Sequence, residues 1–96
     1  MNIAGYNFDG PYDPDKGFTK DFAAVYSIVD DKPKVVDVGQ TNNINDRFPN
    51  HERKPCWLRN KDGEIHLYIY KEESEKNRLR IESEIRGVYN PPCGER

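Results

Sequence analysis

Long apolar runs are missing from this chain: none approaches the roughly 20 residues that a membrane-crossing helix needs. The opening MNIAGYNFDG has neither the basic start nor the apolar centre of a secretory signal, which leads to the expectation of a cytoplasmic protein with no membrane contact. Cysteine is scarce. Cys56 and Cys93 are too few for a disulfide scaffold and are expected to stay reduced in that compartment. With His51 and His66 they are the only strong zinc ligands, and the four share no knuckle spacing, which argues against structural zinc. Apolar residues are limited as well, at 34% against 33% charged with a mean hydropathy of -1.03, so 96 residues can build one thin core and no second domain. What the chain does have is aromatic surface. Six Tyr, four Phe and one Trp supply most of its large packing groups.

The net charge of -2 speaks against simple electrostatic capture by nucleic acid, yet the charge is uneven. Residues 1 to 31 hold two lysines against six aspartates, residues 32 to 61 seven basic groups against three acidic, and residues 62 to 96 six against eight. An anion would meet the middle third. A solvated basic surface without a partner explains that charge equally well.

Residues 1–22 are dense in Gly, Pro and Asp and read as an irregular N-terminal arm ahead of a domain over residues 23–96. AAVYSIV (23–29) and KVVDVG (34–39) read as a hairpin joined by DDKP. Alternation places Ala24, Tyr26 and Ile28 on one face, and Val35, Asp37 and Gly39 together on one face of the partner strand. A short helix is expected from Asn43, with Ile44 and Phe48 facing the sheet, but Pro49 bends it or makes it restart. A loop or second short helix holds Pro55-Cys56-Trp57. EIHLYIYK (64–71) alternates as a third strand, with Ile65, Leu67 and Ile69 opposite His66, Tyr68 and Tyr70. SEKNRLRIESEIRGVY (74–89) predicts a helix capped by Ser74, stopped by Asn90-Pro91-Pro92, with Ile81, Ile85, Val88 and Tyr89 on one stripe and Glu82 at its border. The fold class is α+β: a small three-stranded, mostly antiparallel sheet flanked by helices, in the order β-β-α-(α)-β-α.

AVY at 24–26, then DVG at 37–39 after ten residues, then Arg47 eight residues beyond the glycine, resembles the GIY-YIG nuclease superfamily. IESEIRGVYNPP (81–92) is similar to that family's later helix, in which a metal-binding glutamate precedes an aliphatic residue by three and a proline by nine. Glu82, Ile85 and Pro91 match. The likeness covers about residues 23 to 92. It implies a metal-dependent endonuclease or nickase that hydrolyses phosphodiester bonds in DNA: Tyr26 orienting or deprotonating water, Arg47 holding the phosphate, Glu82 binding one Mg²⁺ or Mn²⁺. His51, four residues beyond Arg47, matches a histidine that takes part in proton transfer in many members. On residue type alone it reads as an exposed histidine at a helix end.

Asp37 departs from the pattern, standing where the second motif supplies tyrosine, and Gln40 stands where some relatives carry lysine. Aspartate accepts a proton or binds a metal but donates no phenolic hydrogen bond. Two readings follow: Asp37 joins Glu82 as an oxygen ligand in an altered, working site, or the fold is kept as a silent module binding nucleic acid or protein. Singly, Tyr26 reads as a core tyrosine, Arg47 as a surface arginine, and Glu82 as an exposed partner of Arg78 or Arg86. A purely structural role, with Trp57, Tyr68 and Tyr70 as an oligomer contact, is a weaker third reading. With little chain to spare for a recognition module, specificity would come from a distorted DNA target or a protein partner.

Overall fold

The computed structural model describes residues 1–94. In chain order these form β1 (Asn2–Ile3), β2 (Tyr6–Asn7), β3 (Asp9–Tyr12), β4 (Ala24–Asp30), β5 (Val35–Thr41), a 3₁₀ turn (Ile44–Asp46), α1 (Lys54–Asn60), β6 (Ile65–Lys71) and α2 (Glu75–Tyr89). β1 and β2 pair as a small hairpin, and the main sheet is antiparallel in the order β3-β6-β4-β5.

The α+β class stands, but the expected three strands become four. The fourth, β3, comes from the arm read as irregular. Its Asp9-Gly10-Pro11-Tyr12 looks like a turn because Gly and Pro punctuate it, yet β3 lies at the sheet margin, where a missing N–H and a shifted register are tolerated.

Both faces of the sheet are covered, so β4 is buried along its whole length and its V-Y-S-I-V run has no solvent side. Ala24, Tyr26, Ile28, Leu67 and Ile69 pack beneath Ile44, Phe48 and Trp57 of the 3₁₀ turn, its exit and α1. On the other face Val25, Val29 and Val38 meet Ile81 and Ile85 of α2 and Ile3 and Phe8 of the arm. Burial of each such aliphatic side chain contributes roughly 1.5–3 kcal/mol.

A bulge corrects one expectation about faces. Tyr26 pairs with Gly39 and Ile28 with Asp37, but Val29 pairs with Val35, leaving Val36 as an extra residue on β5. Asp37 and Gly39 therefore share the Tyr26 side, whereas Val35 lies on the α2 side. Gly39 is required by that arrangement. The Tyr26 ring crosses directly over it, and a Cβ there would overlap Cζ and Oη of the tyrosine.

The first helix does restart, as Pro49 demands: one 3₁₀ turn, then α1 with Pro55 in its opening turn. α2 begins at Ser74, whose hydroxyl accepts from the Asn77 N–H at 3.2 Å, and ends at Asn90 in the left-handed conformation. Its buried stripe is Arg78, Ile81 and Ile85. Val88 and Tyr89, expected on that stripe, are exposed, and the Tyr89 hydroxyl accepts from the Ala4 N–H of the arm. Trp57, expected with Tyr68 and Tyr70 at an oligomer contact, is instead fully buried in the core, and Tyr70 packs against Tyr6 and Phe8.

Candidate functional site

β4 and β5 set Tyr26 and Asp37 side by side on one face, and the segment from the 3₁₀ turn to α1 lays its polar residues over them. His51 is the centre. Only 5% exposed, it places Nε2 2.7 Å from the Tyr26 hydroxyl and 3.0 Å from Nη2 of Arg47. Its ring packs against Phe48 and Trp57, so the exposed helix-end reading is overturned by the return of the chain after Pro49. Burial, then the Arg53 and Arg47 charges, depress the His51 pKa to about 4, and the ring is neutral at pH 7.

The neutral ring has a defined tautomer. Nδ1 accepts from the Arg53 backbone N–H at 3.0 Å, which puts the proton on Nε2, aimed at the Tyr26 oxygen. Nη2 of Arg53 donates to the same oxygen at 3.3 Å. With two donors on its oxygen, the Tyr26 O–H is engaged by neither of them. Burial raises the Tyr26 pKa against the opposing pull of Arg53 and Arg47, so the phenol keeps that proton. Arg47 meets the His51 N–H donor to donor, and its Nε is buried without a partner among the described residues. Its Nη2 also pairs with Glu52 at 2.9 Å, a carboxylate largely in solvent. Donors outnumber acceptors here.

Asp37 is fully buried and saturated. Oδ2 accepts from Arg53 Nε and Trp57 Nε1–H, each at 2.7 Å, and Oδ1 from the Val38 N–H at 2.8 Å and Arg86 Nη2 at 3.4 Å. Burial works against the Arg53 charge, but the Asp37 hydrogen bond and attraction outweigh it and raise that pKa. Glu82 joins from α2 through Arg86, whose Nη2 is 4.0 Å from Oε2. Tyr26, Arg47 and His51 are thus in contact, Asp37 is tied to Tyr26 through Arg53, and Glu82 is reached through Arg86 and Asp37. Gln40, in the slot of a cation, accepts from Nε of the buried Arg78 at 2.9 Å.

Sequence reasoning missed Arg53, the reach of Arg86 beyond Glu82 to Asp37, and the polar role of Trp57. Arginine at a helix start or last turn has a surface role by default, and nothing local marks these two. It also missed the bridge between Cys56 and Cys93, both expected to be reduced thiols. The Cys93 N–H donates to the Val36 carbonyl, which carries the segment after α2 back over α1 and brings the sulfurs together. His66 pairs with Asp31, so the four zinc candidates do not converge.

Comparison with family models, curated proteins and solved structures gave no match to this chain.

Among the described residues no three His, Cys, Asp or Glu form a group that would hold a metal. Asp37 has no lone pair to spare, which removes it as a ligand beside Glu82. No helix of the described residues is long and apolar enough to cross a membrane.

Proposed function

We propose that the chain is a metal-dependent DNA endonuclease or nickase built on a GIY-YIG-like site. The observation that carries this reading is the Arg47 guanidinium, whose Nε is buried without a partner among the described residues beside the Tyr26–His51 contact. A phosphodiester is an anion of the kind a guanidinium fork binds, and it would reach this one from the partly exposed side of Arg47.

Arg47 and Arg53 are the members open to solvent, so a backbone phosphate would meet them first, displacing Glu52 from Arg47. Fork-like donors fit two phosphate oxygens at once. The Tyr26 O–H, left over from the His51 and Arg53 contacts, would orient the attacking water. His51, neutral at pH 7, holds the phenol in place through Nε2–H. Asp37 is a positioning residue: it fixes Arg53 and Trp57, and through Arg53 the tyrosine. Glu82 would hold the divalent ion, which supplies charge stabilisation at the phosphate oxygens.

Incubation with supercoiled plasmid and Mg²⁺ or Mn²⁺ tests the reading. Nicked circles are expected, and Arg47→Ala should abolish them while lowering stability by less than about 1 kcal/mol, since its carboxylate pair is a surface pair. A well-folded protein that nicks nothing across metals and pH sinks the proposal.

One observation favours a second reading, a silent module binding nucleic acid or protein: Tyr26 is 1% exposed and Glu52 already fills one face of Arg47. Affinity for short duplexes that falls steeply with salt, without cleavage, would select it. A cytoplasmic location belongs to either reading, although the Cys56–Cys93 bridge is more at home in an oxidising compartment.

A further inference from the structure

Beside the turn that carries Arg47 lies a groove of about 210 Å³ lined by Tyr12, Phe18, Thr19, Lys20, Phe22 and Lys71. Three rings run along it edge to face: Tyr12 to Phe18 at 5.2 Å between centroids, and Phe18 to Phe22 at 5.2 Å. Nζ of Lys71 lies 4.6 Å from the centre of the Phe22 ring. Core packing accounts for the inner sides of the two phenylalanines, which rest on the first core cluster. It does not account for Tyr12, which is exposed, nor for two lysines beside three rings.

The groove is fastened to the site. The Asn45 side chain accepts from the Phe18 N–H at 2.8 Å and donates to the Phe18 carbonyl at 2.9 Å, while the Ile44 N–H donates to the Phe22 carbonyl at 3.0 Å. Ile44 and Asn45 belong to the 3₁₀ turn that leads into Arg47. Asp21, between the two phenylalanines in sequence, turns its carboxylate to the Asn45 N–H, and the charged groups that line the groove itself are Lys20 and Lys71.

We infer that this groove is a single-strand subsite, in which an unpaired base of the DNA strand stacks on the aromatic rings while Lys20 and Lys71 meet the adjoining phosphates. Aromatic rings interleaved with lysines bind unpaired bases because every base has a stacking face and every linkage a charge. A paired base inside a duplex keeps its faces covered and cannot enter. The inference rests on the nuclease reading and supplies its substrate class: strands with a flap, a loop or a frayed end.

The test is fluorescence anisotropy in EDTA buffer, at two salt concentrations, with a labelled oligothymidine, an abasic strand of equal length and a duplex. The intact protein should prefer the oligothymidine. Tyr12→Ala should weaken that binding roughly 5- to 100-fold and leave the abasic strand and the duplex unchanged, while Tyr12→Phe retains the affinity. Lys71→Ala should weaken all three and flatten the salt dependence. Preference for the duplex, equal losses on the abasic strand, or no loss on the oligothymidine would overturn the inference. So would sedimentation showing a dimer that Tyr12→Ala dissociates, since the groove would then hold a second copy. No cleavage occurs in EDTA, so a failed nicking assay and a failed stacking assay remain separate results.

Discussion

A neutral histidine held among arginines gives this protein a specific pH response. The ordinary His51 pKa of 6.5 in the unfolded chain falls to about 4 in the fold. At pH 7 the ring is neutral in the fold and mostly neutral in the unfolded chain, and the stability is close to whole. As pH drops below 6.5 the unfolded chain binds the proton first, so stability declines until about pH 4, by roughly 3 kcal/mol. Urea midpoints at pH 7 and 4.5 should show that loss, and His51→Gln should show much less of it. Gly39 is the second residue-scale lever. Gly39→Ala would force the Tyr26 ring off β5, at about 1–3 kcal/mol of stability, and separate its hydroxyl from His51. Thermal melts and the nicking assay should fall together. His51 itself was legible as a residue beside Arg47 but illegible as a buried one, because its environment is made by Phe48 and Trp57 on either side of a proline. Asp37 was visible as a departure from the motif. Its side-chain donors were not, since Arg53 and Trp57 come from the start of α1 and Arg86 from the end of α2.

At the scale of elements, strands with strict alternation were legible and those with interruptions were not. β6 reads correctly because Leu67 and Ile69 face one core while Tyr68 and Tyr70 face the other. β5 reads wrongly at its start because counting by twos runs straight through the bulge at Val36. β3 was invisible because its residues are turn formers whose strand character is supplied by the neighbour β6. The boundaries of α2 were legible through Ser74 and Asn90, since caps are local chemistry. Ser74→Ala removes the acceptor for the Asn77 N–H and is expected to cost about 1 kcal/mol, read as a lowered urea midpoint with an unchanged slope. The far end of the buried stripe was misread because the arm, not the sheet, sets what Val88 and Tyr89 meet.

For the whole molecule, the Cys56–Cys93 bridge closes a sequence separation of 37 residues and ties the segment after α2 to α1. Loop closure of that length stabilises by roughly 3–4 kcal/mol in the chain-entropy account. Melts with and without a dithiol reductant should differ by that much, and Cys56→Ser with Cys93→Ser should match the reduced protein. Two cysteines in an otherwise unremarkable chain gave no sign of this, because proximity across 37 residues is a property of the finished topology.

The same closing segment has a consequence for solubility. β5 is the last strand of its sheet, and such a strand offers a row of bare carbonyls on which another chain could template itself. Here the Val36 carbonyl is taken by the Cys93 N–H and the Val38 carbonyl by Arg86. At the opposite margin Pro11 lacks the N–H that a newcomer would need. Each margin is thus partly closed to an incoming strand, and Arg86, which takes one β5 carbonyl, also braces Asp37.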